Sequence, residues 1–139
     1  MGARILGIDY GRKRIGVAVS DPLNIIARGV AVIANTPKAV GEIRRLAEEF
    51  EVEKIVVGIP YTLKGKKATM AEEVEEFITL LSTELGVEIV RQDERFTSRM
   101  ARQTLLDMNV GTMKRRVKGR IDEMASALIL QGYLDGRGR

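Results

Sequence analysis

Apolar positions along the chain switch between strand and helix periods, and the switches outline the elements. Arg4-Ile5-Leu6-Gly7-Ile8-Asp9 reads as a short buried strand, and Arg14 to Ser20 alternates Ile15, Val17 and Val19 as a second. Tyr10-Gly11-Arg12-Lys13 reads as the turn between them, so a carboxylate, Asp9, stands at the bend of a hairpin. Asp21-Pro22 breaks the chain, and Gly29-Val30-Ala31-Val32-Ile33 offers a third strand. Thr36 as N-cap and Pro37 at the first helical position open a helix to about Phe50, in which Val40, Ile43, Leu46, Ala47 and Phe50 follow helical spacing. Lys54 to Ile59 is almost wholly apolar, as a central strand covered on both faces should be.

Beyond Pro60, Tyr61 to Lys67 reads as a loop and Ala68 to Leu85 as a long helix stopped by Gly86. Val87 to Gln92 predicts a fifth strand, Thr97 to Met108 a helix, and Ile121 to Leu134 a last helix with Ile121, Ala125, Leu128, Ile129 and Leu134 on its apolar face. Asn109 to Gly119, with two Gly and four bases, reads as a mobile connection. A three-strand meander followed by helix-strand alternation predicts an α/β fold with a mixed five-stranded sheet and helices on both faces. No repeat or linker divides the chain, so residues 1–139 are expected to form one domain. The first turn leads into a strand, and neither G-x-G-x-x-G nor a P-loop opens a helix, which excludes a doubly wound nucleotide fold.

Composition narrows the chemistry. The chain has no Cys, no His and no Trp, so disulfides, thiol nucleophiles, zinc sites of Cys and His, and imidazole acid-base catalysis are excluded. Carboxylates, hydroxyls, Lys and Arg remain, and a hard cation on oxygen ligands is the metal they suit. The net charge of +4 is unevenly spread: Glu72 to Glu94 holds eight acids and one base, and Arg95 to Arg120 eight bases and one acid. A basic stretch of that kind suits nucleic acid as partner. No apolar run approaches the roughly 20 residues of a membrane helix, and no presequence pattern opens the chain, so a cytoplasmic protein with no membrane partner is expected.

Three acidic positions stand where a sheet-based metal site needs them: Asp9 at the end of the first strand, Asp93-Glu94 at the end of the fifth, and Asp122 at the start of the last helix. Each also has a structural reading, as turn former, solvated strand end and helix cap respectively. If the strand persists that far, alternation puts Asp93 and Glu94 on opposite faces, so one of them alone can face the site. Together, three carboxylates could hold one or two Mg²⁺ or Mn²⁺ ions and work on a phosphodiester. Arg12, Lys13 and Arg14 beside Asp9, and Lys114, Arg115, Arg116, Lys118 and Arg120 before Asp122, would meet the flanking phosphates.

At these residues the chain resembles a known family. Ile8 to Asp21, Val57-Gly58-Ile59-Pro60, Asp93-Glu94-Arg95-Phe96-Thr97-Ser98 and Ile121 to Gln131 look like the successive signatures of the YqgF (RuvX) family, in order and over nearly the whole chain. The resemblance implies a ribonuclease H-like fold similar to the RuvC-type resolvases. It implies that Asp9, Glu94 and Asp122 are the catalytic metal ligands, with Asp93 as the substitute for Glu94. Arg95 and Thr97 fall in the third signature and would lie beside substrate. Members are described as Holliday junction resolvases and as nucleases that mature the 5′ end of pre-16S ribosomal RNA, so the expected partner is structured RNA or branched DNA, including a ribosomal precursor particle. The segment after Pro60 departs from the family's P-x-N-x-D-G-S form: Thr62, Lys64 and Lys66 surround Gly65. If that loop meets substrate, Lys64 and Lys66 would do so through phosphate charge.

Two other function classes compete. Asp-x-Gly after a first strand also begins the actin and Hsp70 type ATPases, but those close two such domains around a nucleotide, and this length supplies one. A ribosome assembly factor of the same fold that binds nucleic acid without cutting would keep the basic stretch and need no metal. Scattered aromatics, 4% of the chain, argue against a base-stacking platform. Trimming one RNA end needs a monomer, whereas cutting both strands of a two-fold four-way junction calls for a homodimer.

Overall fold

The computed structural model describes residues 3–59, 70–93 and 117–137, with side chains from residue 123 onward in the last stretch. The elements are β1 (Arg4–Tyr10), β2 (Arg14–Ser20), β3 (Ala27–Ala34), α1 (Ala39–Glu49), β4 (Val52–Ile59), α2 (Met70–Leu85), β5 (Glu88–Asp93) and α3 (Val117–Arg137). The sheet runs β3-β2-β1-β4-β5. The meander pairs antiparallel, while β4 lies parallel to β1 and β5 parallel to β4. The expected mixed five-stranded sheet is therefore present, and the carboxyl ends of β1, β4 and β5 gather at one edge.

Period-two alternation divides the sheet into two buried faces. Leu6, Ile8, Ile15, Val17, Val19, Ile55, Val57 and Ile59 face α1 and α2, where Ile43, Leu46, Val74, Phe77 and Leu81 close the core. Ile5, Ala18 and Val56 face the other way, under Ile129, Leu130 and Leu134 of α3. The α3 side is packed unusually close. Gly7 pairs with Ala18 and Ala18 with Gly29, so three small residues make one row across β1, β2 and β3. A β-carbon on Gly7 would lie 2.6 Å from the Leu130 β-carbon and 3.1 Å from the Ser126 carbonyl oxygen, and one on Gly29 would meet Glu123. The row is a trough in which α3 lies.

Several element ends differ from expectation. The Thr36 carbonyl accepts from the Ala39 amide and its hydroxyl from the Lys38 amide, so Thr36 and Pro37 form a turn and Lys38, rather than Thr36, occupies the cap position. β3 extends beyond Gly29–Ile33 because pairing with β2 continues to Ser20 and Ala27. β5 is displaced by one residue, ending at Asp93 beside Ile59. Gly86 stops α2 as expected, in the left-handed region at φ 66°. α3 begins four residues before Ile121, at Val117, so the end of the expected Asn109 to Gly119 connection is helical. The expected helix over Thr97 to Met108 lies outside the described residues.

Candidate active site and nucleic-acid interface

Asp9 occupies the second-last position of the central strand. Ile5 and Gly7 point toward α3, and alternation puts Asp9 on that same face. Its cross-strand neighbour on β2 is Gly16, and on β4 the residue after the Ile8–Val57 pair is Gly58. Glycine therefore stands on both flanks of the half-buried Asp9, at the end of the sheet where the parallel strands terminate.

α3 runs antiparallel to β1. Tyr133 near its carboxyl end accepts from Lys54 Nζ at 3.1 Å, at the start of β4, whereas Leu130 and Ser126 lie over Gly7 in mid-strand. The helix thus advances toward the Asp9 end as the numbering falls. Residue 122 stands one turn before Ser126, and Asp9 stands two strand positions beyond Gly7, distances of about 6 Å along each element. Position 122 is also the sixth residue of α3, and no acid lies in the first turn. The capping explanation for Asp122, which needs the unpaired amides of that turn, is thereby removed. Ser126 is fully buried, its hydroxyl donating to the Glu123 carbonyl at 2.6 Å.

β5 fixes the side of Asp93. Ile89 packs with the α1/α2 core and Val90 with the α3 core, so Arg91 and Asp93 share the α2 side. Arg91 is fastened there by Glu75 of α2, with Nε at 2.9 Å and a terminal nitrogen at 2.7 Å from the same oxygen. Asp93 therefore lies on the face away from Asp9. Glu94 lies outside the described residues, as do Lys64, Lys66, Arg95, Thr97, Lys114, Arg115 and Arg116. Among the described residues no three acids converge as a cation site.

The β1–β2 turn is held from two sides. Asn35 donates from its side chain to the Gly11 carbonyl at 2.8 Å and from its amide to the Lys13 carbonyl at 3.0 Å. Arg12, expected to meet phosphate, lies against Glu73 of α2 in the free protein, with Nε and a terminal nitrogen each 2.8 Å from one carboxylate oxygen. That hydrogen bond and charge hold the guanidinium's pKa above its ordinary value. Lys13 is exposed and Arg14 half-buried at the start of β2. Lys118 and Arg120 fall in the first turn of α3, on the same helix as Asp122. Glu73 and Asn35 were not among the expected site residues; the one signal for Asn35 was its place between the third strand and Thr36-Pro37.

A family profile described as RuvX, Holliday junction resolvase, matches residues 3–136. The chain belongs to the RuvX family. A relative from Desulfitobacterium hafniense, named "Putative pre-16S rRNA nuclease", is 41% identical over 132 residues, covering 95% of this chain and 92% of its own. A relative of the same name from a Sulfurihydrogenibium species is 43% identical over 135 residues, covering 96% and 90%. Among solved structures, RuvC of T. thermophilus in complex with a Holliday junction substrate superposes with a TM-score of 0.57 at 19% identity over 98% of this chain and 96% of that one. The Fowlpox virus resolvase, with its junction DNA, gives 0.57 at 13% identity over 98% and 99%. This RuvX chain thus has the ribonuclease H-like fold of the resolvases.

Proposed function

We propose that this RuvX protein is a divalent-cation-dependent nuclease, a single ribonuclease H-like domain that hydrolyses a phosphodiester bond in the 5′-end maturation of pre-16S rRNA. The observation that carries the reading is the match to pre-16S rRNA nucleases at above 40% identity over at least nine tenths of both chains. The site residues support it. Asp9, Glu94 and Asp122 are the ligand set: a half-buried carboxylate flanked by glycines, the acid that follows β5 in the sequence, and a helix position that no longer has a capping role. Oxygen donors without His or Cys suit Mg²⁺ or Mn²⁺ and disfavour softer metals. Two such ions, when bound, supply an activated water and charge stabilisation for the leaving oxygen. Lys13, Arg14, Lys118 and Arg120, with the bases at 114–116, supply phosphate contacts beside it.

A second reading, resolution of four-way DNA, is favoured by the description of the matched family. The two are separated by offering the protein a pre-16S rRNA precursor and a four-way DNA junction in parallel, with Mg²⁺, Mn²⁺ or EDTA, and with Asp9→Asn throughout. Metal-dependent cleavage of the precursor, absent in Asp9→Asn, is the expected result. Preferential cutting of the junction would overturn the rRNA assignment. Binding without cleavage under every cation would overturn the nuclease in favour of an assembly factor.

A further inference from the structure

The end of the sheet that carries Asp9 has a second face. Tyr10, the next residue, packs with the α1/α2 core, and its ring centre lies 5.0 Å from that of Phe77 of α2, tilted by 49°. Beside these rings opens a cavity of about 350 Å³, between Pro37 and Val40 on one side and Glu73, Glu76 and Leu80 of α2 on the other. Tyr10, Val40 and Phe77 belong to the core and make its floor apolar and aromatic. Its rim is acidic, and no base lines it among the described residues.

The chain has a net charge of +4, yet α2 carries Glu72, Glu73, Glu75, Glu76 and Glu84 and no base. Such a surface repels phosphate and attracts cations. Glu73 shows what the rim accepts, since the Arg12 guanidinium already lies against it at 2.8 Å. Glu75 is turned to Arg91. Glu76 is exposed and has no cation on it among the described residues. One turn further along the helix, Leu80 is 55% exposed, the one large apolar side chain of α2 left in water. An uncompensated carboxylate beside an exposed apolar side chain suits a group with an apolar stem and a cationic head.

We propose that this cavity takes an arginine side chain presented by a basic protein partner, its guanidinium between Glu76 and the Tyr10 ring and its methylene stem on Leu80 and Val40. A guanidinium is flat, so it lies on a ring while its edge meets a carboxylate, which an ammonium does less well. The Asn35 side chain lines the same cavity, and with its nitrogen committed to the Gly11 carbonyl its oxygen remains as a further acceptor. A nucleobase would also lie on these rings, but its phosphate would then sit among the carboxylates of Glu72 to Glu76. The cavity opens on the α1/α2 side, whereas Asp9 faces α3, so a protein held here leaves the face of Asp9 open. The inference uses neither the metal site nor the substrate, and it stands or falls apart from the nuclease reading.

Amide NMR spectra of the full chain, titrated separately with a hexa-arginine peptide and a single-stranded RNA hexanucleotide at physiological ionic strength, test it. The peptide should move the amides of Tyr10, Asn35, Val40, Glu76 and Leu80, and the RNA should not. Glu76→Lys should weaken peptide binding about tenfold, whereas Glu84→Lys, the same change of charge about 12 Å further along α2, should alter it by less than about twofold. Both positions are exposed, so circular dichroism should be unchanged. Equal effects of the two variants would mean diffuse charge attraction without a site and would overturn the proposal. So would a peptide that moves none of these amides, or an RNA that moves them in its place. Should Glu76→Lys misfold, Glu76→Gln and the wild-type titrations decide the matter.

Discussion

Gly7 lies directly beneath Leu130, with room for a hydrogen but not for a carbon: a β-carbon there would be 2.6 Å from that of Leu130. Both groups belong to rigid backbone, so neither can turn aside. Gly7→Ala should force α3 off the sheet and cost roughly 1–3 kcal/mol, the usual range for overpacking a close contact. Leu130→Ala should not rescue it, because alanine keeps the offending β-carbon and opens a cavity besides. Urea denaturation measures both, and an unchanged midpoint for Gly7→Ala would show that the helix can lift without loss. Because α3 carries Asp122, cleavage should fall further than the folded fraction does.

The parity of β5 places Asp93 on the face away from Asp9. Asp93 is level with Ile59 and shares the side of Arg91, which Glu75 fastens to α2. Asp93→Asn should therefore leave metal-dependent cleavage within a few fold of wild type, whereas Glu94→Gln should remove it. Isothermal titration with Mn²⁺ should show the same division in ion binding without reliance on turnover. The opposite pattern would mean that the strand twists by one residue before the site.

Arg12 joins the β1–β2 turn to α2, since Glu73 holds it in the free protein. Glu73→Gln should release the guanidinium toward substrate phosphate. The pair is exposed, so the melting temperature should hardly move. Binding to a nucleic acid should tighten, and the plot of log affinity against log salt should steepen by about one unit if one further phosphate is neutralised. Arg12→Ala should shift both quantities the other way. Identical salt slopes in all three proteins would place the nucleic acid away from this turn.

Strands were legible because burial on one or both faces writes itself into the apolar pattern, as in Ile55-Val56-Val57 and in the alternation of Ile15, Val17 and Val19. The start of α3 was not, because Lys118, Gly119 and Arg120 carry no apolar period. The trough of Gly7, Ala18 and Gly29 depends on register across three strands, which composition along one strand does not encode. Asp9 stood out by its place at a strand end, but its glycine flanks, Gly16 and Gly58, appear only once β1 has its neighbours. The Arg12–Glu73 pair joins residues 61 apart, and a run of acids on a helix says nothing of which one meets a distant turn.

Asp21 yields a pH dependence whose sign follows from its bonds. Its carboxylate accepts amide hydrogens from Ile26, Ile25 and Leu23, which stabilise the charged form and lower its pKa below the ordinary 3.8. A lowered folded-state pKa means a stabilisation that is complete above the unfolded value and lost as pH falls through the folded one. At neutral pH, Asp21→Asn should therefore melt at a lower temperature than wild type. The difference should persist down to about pH 4 and close below pH 3.8, where the wild-type carboxyl takes up its proton. Thermal melts of both proteins between pH 7 and pH 2 provide the check. A gap that widened on acidification would mean that the loop around Ile25 and Ile26 is held by something other than this carboxylate.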